Sequence, residues 1–242
     1  MVEIKIDNAK YMSVCIDAIA SLIEEANMHF SKDGLNILAY DNTTIALVDF
    51  NMPKEIFSKY EITDDEEIGV NFSSLNKIMS RAREGESMTL KKDKGDKFTI
   101  TFSKDKISRK YKVNSIDLDK QAKKIKPKSE IEFSIVKRNF EDNLKDSIML
   151  SDFVNIQVSK DGLKISARGD MGELDILDNP EIVSANEVKG IFNLKFLTAM
   201  IKGCDKDNKI AITLGSNEPI SLNYNIGEAN LNFVLAPYLD EE

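Results

Sequence analysis

No apolar run in these 242 residues approaches the roughly 18 needed for a helix to cross a membrane, so a helical membrane protein is not expected. The opening residues, MVEIKIDNAK, alternate apolar and charged and lack the basic-then-apolar pattern of a secretory leader, so none is expected. There are only two cysteines, Cys15 and Cys204, and both lie in helical apolar patterns. Buried free thiols in a reducing compartment are the expectation, with a Cys15–Cys204 disulfide as the alternative. The one histidine, His29, sits in the alternating stretch Met28-His29-Phe30, where its neighbours would face a core and His29 the solvent. No second histidine exists to share a metal site. A GxGxxG after a strand, a P-loop, a CxxC and a GxSxG are all missing, which removes the usual sequence signs of nucleotide, redox and acyl-transfer chemistry. Acidic pairs such as Asp64-Asp65 and Asp240-Glu241 are background in a chain with 41 acidic residues. The expectation is a protein that is not an enzyme and needs no metal or cofactor.

The formal net charge is −8, from 33 Lys and Arg against 41 Asp and Glu. Acid is concentrated at Asp64–Glu67 and Asp240–Glu242. A chain of that balance is not a generic nucleic-acid binder, unless its basic residues gather on one surface. The length allows one large domain or two of average size.

Internal duplication decides between those two. Ser31-Lys32-Asp33-Gly34-Leu35 returns as Ser159-Lys160-Asp161-Gly162-Leu163, 128 positions later. In each copy an Asp-Gly turn joins two alternating segments, the pattern of a β-hairpin. An amphipathic helical pattern precedes each copy: Met12, Cys15, Ile16, Ile19, Leu22 and Ile23 in the first, Val136, Phe140, Leu144 and Ile148 in the second. Val70-Asn71-Phe72 with Leu75, Ile78 and Met79 resembles Phe192-Asn193-Leu194 with Leu197, Met200 and Ile201, 122 positions on. Each reads as a strand leading into a helix of about ten residues, capped in the first copy by Ser73 or Ser74. Alternating runs follow, at Met88–Leu90 and Phe98–Phe102, then at Ile210–Leu214 and Ile220–Ile226. Turn residues Lys94-Gly95-Asp96 and Ser216–Pro219 separate the strands within each pair. Two halves on one plan predict two α+β domains of the same fold, at 1–116 and 131–242, joined by the polar, Lys-rich connector 117–130.

Three stretches resemble sliding clamps of the proliferating cell nuclear antigen type, archaeal ones especially. They are Pro53, Ile56-Phe57-Ser58-Lys59-Tyr60 with Ile68-Gly69-Val70-Asn71-Phe72, Leu75 and Lys77-Ile78; Asp161-Gly162-Leu163 with Ala167 and Gly169; and Leu235-Ala236-Pro237 just before an acidic tail. The resemblance spreads over the whole chain. It implies the DNA-clamp fold: an α+β chain of two duplicated domains, three subunits to a ring, with helices lining the hole and antiparallel sheets outside. It implies a processivity factor that encircles duplex DNA without reading its sequence, and tethers DNA polymerase, a flap nuclease and ligase through short peptide motifs, with a clamp loader to open the ring. The implied place is the cytoplasm, at the nucleoid, or the nucleus in a eukaryote.

Helices that line such a hole should present basic faces, and the candidates are Lys10, Lys77, Lys145, Lys195, Lys202 and Lys206. Lys137 and Arg138 add to the third helix, among Glu141, Asp142 and Asp146. By position, the resemblance assigns Arg81, Arg83 and Arg109 to the basic side of the subunit interface and Asp142 and Asp146 to the acidic side. Arg81 is read as lying one turn beyond Lys77 on the same helix face. The partner-peptide pocket would hold Tyr40, Ile45 and Leu47, Ile125 and Pro127 of the connector, and Val234, Ala236, Pro237, Tyr238 and Leu239 of the C-terminal segment. Two other readings remain open: a metal-dependent nuclease, which needs clustered carboxylates, and a monomeric processivity factor or clamp-like checkpoint subunit. Whether a ring would hold three identical chains or paralogues is also open.

Overall fold

The computed structural model describes residues 1–92, 95–118, 122–180 and 187–239. Lys94 of the first turn, positions 119–121 of the connector and the acidic tail Asp240–Glu242 lie outside the described residues. The chain divides into two compact units, each drawn from three segments. Unit 1 comprises Met1–Asn42, Val48–Lys124 and Asn225–Leu231; unit 2 comprises Thr43–Leu47, Ile125–Tyr224 and Asn232–Glu242.

The first half runs β1 (Val2–Ile6), α1 (Ala9–Ala20), β2 (Glu25–Ser31), β3 (Gly34–Tyr40), β4 (Ala46–Pro53), a single 3-10 turn, β5 (Lys59–Ile62), β6 (Glu66–Asn71), α2 (Phe72–Met79), β7 (Ser87–Lys92), β8 (Lys97–Lys104) and β9 (Ile107–Asn114). The second runs β10 (Ile131–Val136), α3 (Lys137–Ile148), β11 (Phe153–Ser159), β12 (Gly162–Gly169), β13 (Gly172–Asp178), β14 (Val188–Asn193), α4 (Leu194–Met200), β15 (Lys209–Leu214), β16 (Ile220–Ile226) and β17 (Ala229–Leu235). The order of strand, helix, strands, strand, helix, strands therefore occurs twice, as the repeats predict.

In the first half, neighbouring strands run β5-β1-β7-β8-β9 and β4-β3-β2-β6; in the second they run β10-β15-β16-β17 and β13-β12-β11-β14. Strict alternation sets the inward face of each strand. Phe98, Ile100 and Phe102 of β8 are buried, as are Val154, Ile156 and Val158 of β11. The hairpin glycines Gly34 and Gly162 adopt φ of +137° and +122°, a conformation glycine reaches without the penalty a Cβ carries. α1 packs against α2 and α3 against α4. Burial of Met12, Ile16 and Ile19 seats α1, each such side chain contributing roughly 1.5–3 kcal/mol relative to exposure.

The helices differ from expectation at their ends. Leu22 and Ile23 follow α1, and Leu22 is only half-buried. Ile148 closes α3 and is 47% exposed, because the buried stripe of the helix runs through Lys137, Phe140, Leu144 and Ser147 and leaves Ile148 beside it. α2 and α4 are 8 and 7 residues long, shorter than the ten expected. Their caps are Asn71 and Asn193, not Ser73 or Ser74: Asn71 Oδ1 accepts from the Ser74 amide at 2.9 Å and Asn193 Oδ1 from the Lys195 amide at 3.0 Å. Both cysteines are free and buried, though Cys204 lies in the turn after α4. Burial holds the Cys15 thiol up at about 12, so it is a packing residue without thiolate chemistry.

Candidate functional site

The connector is pinned at both ends, and a glycine underlies each. At the N-terminal end the Ile116 amide donates to the Gly69 carbonyl of β6 at 2.9 Å, so the chain adds a bridge to the free side of that strand. A Cβ on Gly69 would stand 2.2 Å from the Ile116 carbonyl oxygen, closer than atoms can approach. Asn27 Nδ2 reaches the Leu118 carbonyl at 3.5 Å, and the Tyr40 hydroxyl donates to the Lys123 carbonyl at 3.2 Å. Lys124 Nζ meets Asp49 Oδ2 at 2.5 Å. Asp49 is buried in β4, where Asn36 and Asn51 donate to its other oxygen at 3.3 and 3.0 Å. At the far end, the Glu130 amide donates to the Leu214 carbonyl and the Ser216 amide to Glu130 Oε1. A Cβ on Gly215 would meet the Lys128 carbonyl at 2.4 Å.

The C-terminal segment repeats the first of these contacts. The Tyr238 amide donates to the Ile191 carbonyl of β14 at 2.7 Å, closing a second antiparallel bridge. Ile191 and Tyr238 each lie 122 positions beyond Gly69 and Ile116, so in both units the chain after the last strand caps the strand that leads into the second helix. The Tyr238 ring packs on Phe153, centroids 4.5 Å apart. The Ala236 amide donates to the Ile45 carbonyl at 2.8 Å, which joins the segment to the β3–β4 loop.

Of the pocket candidates, Ile45, Ile125, Tyr238 and Leu239 are exposed. Tyr40, Pro127, Ala236 and Pro237 are half-buried, while Leu47 and Val234 are core residues that offer no side-chain surface. Ile45 and Ala236 are brought together directly; Ile125 and Pro127 project from the pinned connector.

The lysines on the helices fall into two groups. Lys10 of α1, Lys77 of α2, Lys195 of α4 and Lys206 beyond it are exposed and, among the described residues, meet no carboxylate. Lys202 is exposed in the turn after α4. On α3 the charges are matched internally: Lys137 is buried against Glu141 at 2.7 Å, and Lys145 lies 3.3 Å from Glu141 and 3.6 Å from Asp142. The hydrogen bond from Lys137, followed by the pull of both lysines, holds the Glu141 carboxyl below its ordinary value against the effect of burial. Arg138 is held by Asp207 at 2.6 Å. Asp17 of α1 accepts from Asn76 of α2 at 2.8 Å, so this carboxylate ties the two helices together.

Arg81 and Arg83 are exposed, but Arg81 lies in the turn after α2 and does not continue the face that carries Lys77. Asp142 and Asp146 are exposed on α3. Arg109 of β9 is committed within its own unit: it bonds Glu86 and the Arg81 carbonyl, and its guanidinium lies 5.1 Å from the Phe102 ring centre. Burial alone would raise the Glu86 pKa, but the Arg83 amide and the Arg109 guanidinium outweigh it and hold the carboxyl below its usual range. Among the described residues β5, β10, β9 and β13 end their sheets without a capping bridge. Two of these edges, β9 and β13, carry aliphatic side chains that stand in solvent, Ile107 at 61% and Leu177 at 81% exposure.

His29 stands in β2 beside acid: Nδ1 is 3.6 Å from Glu67 and Nε2 is 4.0 Å from Asp65. Among the described residues no three His, Cys, Asp or Glu side chains are grouped to hold a metal. No helix there is long and apolar enough to cross a membrane.

The chain is 30% identical to the "DNA polymerase sliding clamp" of Pyrococcus furiosus and 27% to "DNA polymerase sliding clamp 1" of Thermococcus kodakarensis, over 99% of both chains in each case. A solved structure of PCNA from Thermococcus kodakaraensis shares the fold, with a TM-score of 0.90 over 98% of this chain and all of that one, at 19% identity. The family models for the N-terminal and C-terminal domains of proliferating cell nuclear antigen match residues 1–122 and 128–239. The chain belongs to the proliferating cell nuclear antigen family.

Proposed function

We propose that this chain is one subunit of a DNA sliding clamp, a ring without catalytic turnover that encircles duplex DNA and holds DNA polymerase and other replication and repair enzymes on it. The observation that carries this reading is the duplication: two like units, each with a helix pair bearing exposed lysines, and with edge strands that include β9 in the first and β13 in the second. Open edges on β9 and β13 suit head-to-tail addition of copies, which removes both edges once a ring closes. Arg109, Lys110 and Lys112 on β9 oppose in sign Glu173, Asp175 and Asp178 on β13. Arg81 and Arg83 would face Asp142 and Asp146 of the next copy, with Arg109 fixing the Arg81 carbonyl from behind.

Lys10, Lys77, Lys195, Lys202 and Lys206 would meet phosphate oxygens without reading bases, with Lys145 a weaker member because α3 carboxylates share it. Weak contacts suit a ring that slides, since topology and not affinity retains it. The connector and C-terminal segment, through Ile45, Ile125, Pro127, Ala236, Pro237, Tyr238 and Leu239, would take the peptides of polymerase, flap nuclease, ligase and clamp loader. The place of action is at DNA in the cytoplasm.

The test is extension of a primed circular template by a partner polymerase with its loader. Longer products with the chain present, and loss of that gain on a linear template with free ends, are expected. Equal stimulation on circular and linear templates would overturn the ring.

A further inference from the structure

The lysines of the connector do different things. Lys124 is held by the buried Asp49 carboxylate at 2.5 Å, and Lys123 gives its carbonyl to Tyr40. The side chains of Lys123, Lys126 and Lys128 are exposed and, among the described residues, meet no carboxylate. Between them Ile125 is 42% exposed, an aliphatic side chain in a strip of cations. The Tyr40 and Asp49 contacts hold the start of this strip and the close approach of the Lys128 carbonyl to Gly215 holds its end, so its charges cannot drift far from its apolar residue. A neutral apolar peptide would use Ile125 and ignore three cations. Nucleic acid would use the cations and leave Ile125 in water. A peptide with carboxylates beside an apolar anchor uses both.

We propose that the connector selects partner peptides whose apolar anchor is flanked by Asp or Glu, through Lys123, Lys126 and Lys128. This rests on the reading of the connector and C-terminal segment as the partner site. Lys gives point charges on flexible stems and no bidentate fork, so the selection is by net charge and not by a fixed carboxylate geometry. It is therefore screened by salt.

Fluorescence anisotropy would follow a short labelled peptide with an apolar anchor of aliphatic and aromatic residues, made with Glu, Ser or Lys flanks. Wild type and the Lys123→Glu, Lys126→Glu, Lys128→Glu triple variant would be titrated at low and high salt, with labelled duplex DNA as a parallel probe. On wild type the Glu-flanked peptide is expected to bind on the order of tenfold more tightly than the Ser-flanked one, a gap that closes at high salt. The triple variant is expected to prefer Lys flanks. Equal binding of all three versions to wild type would overturn the charge selection and leave the partner site standing. No binding by any version would overturn both. A variant that loses duplex binding while the peptide ranking stays unchanged would assign the strip to nucleic acid instead. The ranking on wild type stands independently of how well the variant folds.

Discussion

Asp49 lies buried in β4 with three donors around it, and only one of them, Lys124, carries charge. Removing that lysine leaves a buried carboxylate held by two amides, a loss of about 1–2 kcal/mol. Lys124→Ala is therefore expected to lower the unfolding midpoint, and also to free the connector. Limited trypsin digestion would show the second effect as faster cleavage within 123–128; unchanged cleavage would mean that the ion pair does not restrain the connector. Glu86 provides a pH-dependent case. Its carboxyl is held low by Arg83 and Arg109 against the effect of burial, so its contribution is present above its unfolded pKa of about 4.3 and is lost as pH falls through the lower folded value. Glu86→Gln should thus cost stability at neutral pH. The gap from wild type should shrink as pH falls through that lower folded value, as the wild-type carboxyl becomes uncharged like the amide. A gap that is constant across that range in denaturant titrations would exclude the linkage.

Among the elements, the two short helices show what local sequence can and cannot say. Their existence was legible, since Leu75, Ile78 and Met79 repeat as Leu197, Met200 and Ile201 at helical spacing. The cap of the first is not the expected Ser73 or Ser74, good capping residues though they are, because the helix starts at Phe72, before either. The signal that identifies the true cap was present: Asn is the polar residue common to Val70-Asn71-Phe72 and Phe192-Asn193-Leu194. Asn193→Ala is expected to cost about 1 kcal/mol and lower Tm by roughly 2–4 °C, while Ser73→Ala stays within about 0.5 kcal/mol. Calorimetry on the two variants decides between the caps. The hairpins were legible for a simpler reason, a period of two interrupted by Asp-Gly. The Lys124–Asp49 pair was not, because its partners are far apart in sequence and belong to no local pattern. The same holds for Arg109, whose place in β9 says nothing of the Glu86 it turns toward. No local pattern shows what Gly69 and Gly215 do, since the chain they admit comes from elsewhere. A Cβ at Gly69 would displace Ile116, so Gly69→Ala is expected to destabilise by about 1–3 kcal/mol and weaken peptide binding together.

For the whole molecule, the features that bear on assembly are the open edges at β9 and β13 with the exposed Ile107 and Leu177. A lone subunit would expose both edges to any passing strand, which is a liability for a chain at working concentration. If copies add head to tail, β9 of one against β13 of the next, three ion-rich contacts hold a closed trimer. Light scattering should then give a mass near three times 27.2 kDa at low salt. The charges flanking these edges are exposed and screened within a Debye length of about 8 Å at physiological ionic strength, so the trimer should dissociate toward subunits as salt rises. Aliphatic burial has the opposite response to salting-out ions, so sulfate should dissociate the ring less than chloride at equal ionic strength. Lys110→Glu with Lys112→Glu should move the midpoint to lower salt, and Leu177→Asp should abolish the trimer at any salt. A monomer at every salt and protein concentration would sink the homotrimer and direct the search to paralogous partner chains. A trimer indifferent to salt would leave the ring intact and transfer its cohesion to the strand pairing and the aliphatic contacts alone.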